Sequence, residues 1–326
     1  MSQPTGPRLT ASLPFTPVLV QPLPITVTPL PNETLDSYFS RVASVNGTTT
    51  TLLRSPYRWL HCRLNELELL EKLTLQSRTS LVWAIPELRK YDPQIAPPLR
   101  LRLVRTRFAC RRCVWRAGGR KEAHVYLRTP YDNICLRHSI WLKDGVDYVS
   151  WQIDLAPTPE VVQAQLLINR LERKYGEPFL TECYEQCGRF FADLGRRALV
   201  RNEAEVLVRR LCEANRMALE SPRRGVSAPF DPRYRFRRAG RYPQLAKLMA
   251  LASSPILRGL TRSSPDEARE RISAEFERLI PLDYEPRSTT GPWLRYALVN
   301  LVKRMDAHTH LLRVAEAVDV DPSHPV

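Results

Sequence analysis

Residues 29–47 read PLPNETLDSYFSRVASVNG, and Leu35, Tyr38, Phe39, Val42 and Ala43 recur in it at i, i+3, i+4, i+7 and i+8. That spacing lines one face of a helix. Asn32 is expected to cap its start, Glu33 to favour the positive end of its dipole, and Asn46-Gly47 to stop it. Two more apolar-periodic stretches, 65–73 and 77–88, predict short helices joined by Thr74-Leu75-Gln76, with Pro86 weakening the end of the second. Three short helices with a tight last turn point to a helix-turn-helix, while a plain helical bundle fits the same pattern. After a proline-containing link at 91–98, short apolar runs and Gly118-Gly119 predict strands and turns. From Pro157-Thr158-Pro159 onward the period is helical again, at 159–174, 179–218, 244–260, 265–279 and 292–316. An Arg-, Pro- and Gly-containing segment interrupts it at 221–243. Residues 1–28 read as a disordered Pro-rich leader and 319–326 as a frayed tail.

The strand-and-turn region holds the first candidate chemistry. Cys110-x2-Cys113 and Cys135-x2-His138 lie 21 residues apart. Each pair forms a tight knuckle that presents two soft ligands to one point, and four such ligands satisfy a tetrahedral zinc ion. With no position left open for water, one structural Zn2+ is expected. His124, alone in the intervening loop, is a poorer ligand. Cys183 and Cys187, Cys62 beside His61, and Cys212 read as buried structural residues.

The expected fold class is therefore mainly α. Helix-turn-helix-like helices (33–90) and a small zinc ribbon (101–145) form a module over 29–148, and an α-helical C-terminal domain follows at 157–318.

Charge sharpens this picture. The 326 residues carry a net charge of +15, and the basic residues cluster. Residues 101–130 hold nine Arg or Lys against Glu122 alone, and 221–241 hold seven Arg against Asp231 alone. A surplus of this kind points to a polyanionic partner. The candidate phosphate-binding residues are Arg107, Arg111, Arg112, Arg116, Arg120 and Lys121, and Arg223, Arg224, Arg233, Arg235, Arg237, Arg238 and Arg241. Base reading, if it occurs, falls to Gln76, Ser77, Arg78 and Ser80 at the start of the third helix, where simple capping is the competing role.

The N-terminus lacks the features of a signal peptide, no stretch has the length of a membrane span, and the seven cysteines fit a reducing cytosol. A cytoplasmic location and double-stranded DNA are expected, rather than a membrane partner. No phosphate loop, dinucleotide fingerprint, HExxH or GxSxG is present. The Asp306, His308, His310 group sits on a helix face pattern that points two ways, so catalytic residues are expected to be none and the protein not an enzyme.

Taken together the motifs resemble the TniQ family of transposition proteins. The family opens with a proline, Glu-Thr/Ser-Leu, Ser-Tyr/Trp, an Arg-Leu-Ala-like turn and Asn-Gly, as in PLPNETLDSYFSRVASVNG. An Ala-Leu-Pro-Glu-Leu-like string follows, here Trp83-Ala84-Ile85-Pro86-Glu87-Leu88. Then come a Cys-Pro-x-Cys knuckle, an aromatic with a proline, and Cys-x2-His before leucine. These correspond to Cys110-Arg111-Arg112-Cys113, Tyr126 to Pro130, and Cys135-Leu136-Arg137-His138 with Leu142. The resemblance spans residues 25–145. It departs at Arg111, where the knuckle has proline, and at the glycine-free link between the helices.

The resemblance implies a helix-turn-helix plus zinc-ribbon module that selects target sites for transposition without catalysis, recruiting a transposase or an AAA+ ATPase regulator. A DNA-binding transcriptional regulator, or a protein-binding adaptor on an RNA-guided complex, remains the alternative. Assembly as a homo-oligomer is open.

Overall fold

The computed structural model describes residues 20–55, 64–97, 105–142, 146, 148–196, 202–216, 234–279 and 290–319. Residues 1–19 of the leader, His61, Cys62, Arg223, Arg224, Arg233 and residues 320–326 of the tail lie outside the described residues. The chain is mainly helical. By internal contacts it forms two compact units, Met1–Leu103 with Val114–Val125, and Val104–Cys113 with Tyr126–Val326. The division thus runs through the cysteine region instead of following it.

The first unit is built on α1 (Leu35–Val45). Thr34, not Asn32, caps it, its hydroxyl accepting the Ser37 N–H. Asn32 instead turns the chain with φ 59°, a left-handed conformation that asparagine tolerates. α1 ends at Asn46 as expected, and Gly47 takes φ 65° before α2 (Thr50–Leu53).

α3 (Glu66–Thr74) starts in a full capping box between Asn65 and Glu68. It ends with Leu75 at φ 55°, exposed, in the conformation a C-terminal glycine usually takes. α4 (Arg78–Ala84) stops four residues short of the expected end. Ile85 is extended because it precedes proline, and Pro86 opens a 3-10 turn to Tyr91. Leu35, Tyr38, Phe39, Leu67, Leu70, Leu81 and Ile85 are among the residues that close this core.

Glu33 does more here than favour a dipole. It is buried with Arg41, both side chains 0% exposed, at 2.7 Å. Its carboxylate also accepts from the Ser37 hydroxyl and the Leu30 N–H. Arg41 also donates from Nη2 to the Thr28 carbonyl, while its buried Nη1 has no hydrogen-bond partner. Residues 20–28, expected to belong to the disordered leader, are held in the same way: Leu23 N–H donates to Leu73 O, Asn46 bonds both backbone groups of Ile25, and Tyr38 donates to Val27 O. Each of these bonds offsets ordering entropy that composition alone could not.

The second unit starts with β1 (Thr106–Phe108) and the first three residues of α5 (Arg111–Arg116). β2 (His124–Tyr126) ends the excursion into the first unit. β3 (Ile134–Cys135), β4 (Ile140–Trp141) and β5 (Ile153–Asp154) then form a small antiparallel sheet, with Cys135 opposite Ile140 and Trp141 opposite Ile153.

The helices that follow are α6 (Pro159–Tyr175), α7 (Glu177–Arg196), α8 (Asn202–Ala214), α9 (Tyr234–Ala252), α10 (Pro255–Ser263), α11 (Pro265–Leu279) and α12 (Thr290–Asp319). α9 begins ten residues before the expected helix at 244. Phe236, Ala239, Tyr242 and Ala246 are buried along one face of it, and this packing overrides the local proline and glycine. Leu180, Phe190, Phe236, Met249, Ile272, Phe276 and Leu298 belong to one large core. Among the described residues no helix is long and apolar enough to cross a membrane.

Candidate metal centre

Cys110, Cys113, Cys135 and His138 come together in the second unit, all four ligand atoms within 4.8 Å of one another. Cys113 Sγ lies 3.7 Å from Cys135 Sγ. His138 Nδ1 stands 3.5, 3.2 and 3.6 Å from the sulfurs of Cys110, Cys113 and Cys135. A tetrahedral ion bound at ~2.3 Å by sulfur and ~2.0 Å by nitrogen sets sulfur–sulfur edges of about 3.7 Å and sulfur–nitrogen edges of about 3.5 Å. These four distances lie close to those edges, and the cluster can hold a metal ion.

Its electrostatics fit a cation as well. A hydrogen bond from the Cys135 thiol pulls Cys110 down to about 5, against burial. Cys135 is pushed up, first by that shared proton and then by burial, and Cys113 is pushed up by burial and by the charge on Cys110. Without a cation the three sulfurs compete for protons in one small space. A metal ion replaces those protons and lets all three become thiolates.

Backbone bonding shapes both knuckles. The buried Gln152 accepts the Arg111 N–H with Oε1 at 3.0 Å and donates from Nε2 to Ala109 O at 2.7 Å. One side-chain amide therefore clamps both sides of Cys110. In the second knuckle the His138 N–H returns to Cys135 O, and Ser139 turns the chain at φ 51° into β4. Arg112 ties the two together, donating to His138 O and pairing with Asp154 at 2.7 Å.

Ile140 and Leu142 pack against Cys110. The sheet is joined to the helical core by Trp141 edge-on to Tyr242, whose hydroxyl reaches Tyr131 O and Gln165 Oε1, and by the Asn133 N–H on the same Gln165 oxygen. Gln152, Asp154 and Gln165 had no signal in the sequence, since each is a lone polar residue far along the chain from what it holds.

His124 is exposed in the first unit and stands apart from the cluster. Cys183, Cys187 and Cys212 are buried in the helical core. Asp306 pairs with Arg262, and His308 packs against Phe179.

The candidate DNA-binding residues fall into two sets. One set is committed to the fold. Ser77 caps α4 by accepting the Ser80 N–H, and the Gln76 N–H lies 3.4 Å from the Thr74 hydroxyl. Arg78 pairs with Glu71 and Asp92 at 3.0 and 2.8 Å. Arg107 is 12% exposed and bonded to the Asp132 carboxylate and carbonyl. Arg235 is buried between the rings of Trp151 and Phe236, and burial lowers its pKa.

The other set is exposed. Arg111 lies on the surface of the second unit, and Arg116, Arg120 and Lys121 on that of the first, beside Trp115, which is 78% exposed. On α9, Arg237, Arg238 and Arg241 follow one another at i, i+1 and i+4. Arg241 has its pKa lowered by burial of the guanidinium and then by the charges of Arg237 and Arg238. Trp115 was missed from sequence because an aromatic in a short segment reads equally as core.

No family model matches the chain, and neither a curated protein nor a solved structure does.

Proposed function

We propose that this chain is a TniQ-type protein: a non-catalytic, zinc-containing DNA-binding adaptor for target-site selection in transposition, which recruits a transposase or an AAA+ regulator. The observation that carries the DNA-binding reading is the exposed run of Arg237, Arg238 and Arg241 at i, i+1 and i+4 on α9, where burial of the guanidinium and then the two neighbouring arginines lower the Arg241 pKa. An exposed run of arginines suits a polyanion, and duplex DNA offers one charge per ~1.7 Å of its axis. Arg116, Arg120 and Lys121 next to the exposed Trp115 add a second basic surface with a ring able to stack.

The metal is read as zinc because three thiolates with one imidazole suit a soft tetrahedral ion. Four protein ligands make it structural, in a small zinc ribbon. α3 and α4 are read as the helix-turn-helix-like pair. The commitment of Ser77 and Arg78 to capping and ion pairing favours a grip on phosphates over base reading at that helix. It also supports a second reading, an adaptor whose basic surface meets an RNA-guided complex.

The test is duplex affinity against salt for protein of measured zinc content. One zinc per chain and a steep linear fall of log affinity with log salt are expected. Replacing Arg237, Arg238 and Arg241 together by Gln should reduce the slope by about 3, at ~0.9 per phosphate contact. Weak binding at every salt concentration sinks the duplex reading and favours the adaptor.

A further inference from the structure

The second unit contains a buried cation that the proposed function does not use. Arg258 of α10 is 7% exposed, with its guanidinium between the rings of Tyr175 and Phe179 at 5.7 and 5.3 Å from their centroids. Its Nη1 donates to the Thr309 hydroxyl oxygen, whose own proton goes to Met305 O at 2.8 Å. Its Nε is buried and bonded to nothing. Among the described residues no carboxylate pairs with it. The nearest acid on α12, Asp306, is taken by Arg262 at 3.0 Å.

A guanidinium is rarely buried without a counter-charge, because desolvation of the ion is then uncompensated. The two rings offset part of that cost through their faces, but they supply no acceptor. Arg258 lines an open cavity of about 340 Å3, together with Arg262, Asp306, Thr309 and His310. Two arginines and an imidazole face a single carboxylate there, and that carboxylate is already paired.

We infer that this cavity between α10 and α12 binds a phosphate group, with Arg258 as its counter-ion and Arg262 and His310 as outer donors. Arg262, with its side chain 71% accessible, can turn a planar guanidinium edge to a tetrahedral oxyanion, Arg258 adds its charge from behind, and the room beyond one phosphate accommodates the group it is esterified to. The phosphate belongs either to a small phosphomonoester or to a nucleic-acid backbone. The inference does not depend on the transposition reading, since the site is separate from the α9 arginines.

Calorimetric titration of the full-length protein with inorganic phosphate, and separately with adenosine monophosphate, tests it. Saturable binding is expected, lost in Arg258→Gln and weakened about tenfold in Arg262→Gln, a change worth ~1.4 kcal/mol. Arg262 is largely exposed, with its side chain 71% accessible, so that variant reports on the site even if Arg258→Gln fails to fold. Should Arg262→Gln and excess phosphate also weaken duplex binding, the natural ligand is a backbone phosphate. Unchanged duplex affinity assigns the site to a small phosphomonoester. Absence of saturable phosphate binding by the unsubstituted protein, or equal binding by both variants, overturns the inference.

Discussion

Two polar devices hold the two units, and they work in opposite ways. In the first unit Glu33 and Arg41 are fully buried, and their charges are cancelled inside a core that already contains Tyr38, Phe39 and Leu70. In the second, Cys110, Cys113, Cys135 and His138 gather beside a small three-stranded sheet whose Ile134, Trp141 and Ile153 belong to the large helical core, while Ile140 and Leu142 pack against Cys110. The ion pair lies inside a hydrophobic core, whereas the cysteine cluster lies at the margin of one, where four soft ligands can be joined by a metal ion.

That contrast can be broken at several points. The largest effect is expected from Cys135→Ser, or from chelation of the zinc proposed for this cluster. Structural zinc sites contribute on the order of 10 kcal/mol of apparent binding free energy in small domains. The two knuckles should loosen, shifting Trp141 fluorescence, while far-UV circular dichroism changes little because Phe179, Phe236, Met249 and Phe276 still pack the helices. A concerted loss of helix on chelation would show that the core also depends on the metal.

Glu33→Gln strands the Arg41 charge and should cost about 3–5 kcal/mol in denaturant unfolding, whereas a Glu33→Met, Arg41→Leu pair should restore much of it.

The third test uses pH. Burial pushes the Tyr38 phenol up to about 12 from 10.0. The folded state then holds its proton more tightly than the unfolded chain. The associated stability, roughly 2–3 kcal/mol at 1.36 kcal/mol per unit, is present below the unfolded value and is lost as pH rises towards the folded one. Tyr38→Phe should flatten this part of the alkaline limb, and an unchanged limb would count against it.

Gly119→Ala brings a Cβ to 2.9 Å from both Arg41 Nη1 and Val114 Cγ1. A loss of about 1–3 kcal/mol is expected, as for other overpacked sites. Asn65→Ala removes the capping box of α3 and should lower stability by only ~1 kcal/mol.

How much was legible follows from the range of each interaction. The cysteine spacing, the Asn65 start and the α1 face all depend on residues within a few positions of one another, and each has its counterpart in the fold. Glu33 was read as a helix-dipole residue because its true partner, Arg41, lies eight residues away on a face that also carries Ser37. The cap passed from Asn32 to Thr34 once Asn32 turned the chain, a choice that two adjacent capping types leave open. Gln152 and Arg258 were invisible, since what matters about them is which backbone or ring they meet across the fold. Arginine is the sharpest case: Arg41, Arg107, Arg112 and Arg235 serve the interior or the ribbon, and composition counted them with the exposed ones.

The chain leaves the first unit after Leu103, returns to it at Val114 and leaves again after Val125. Glu33 is bridged to Val125, and Gly119 makes room for Arg41, so the twelve-residue excursion is part of what completes the first unit. A chain cut at either crossing point parts one unit from residues its own contacts include, so neither half is expected to fold as an independent fragment.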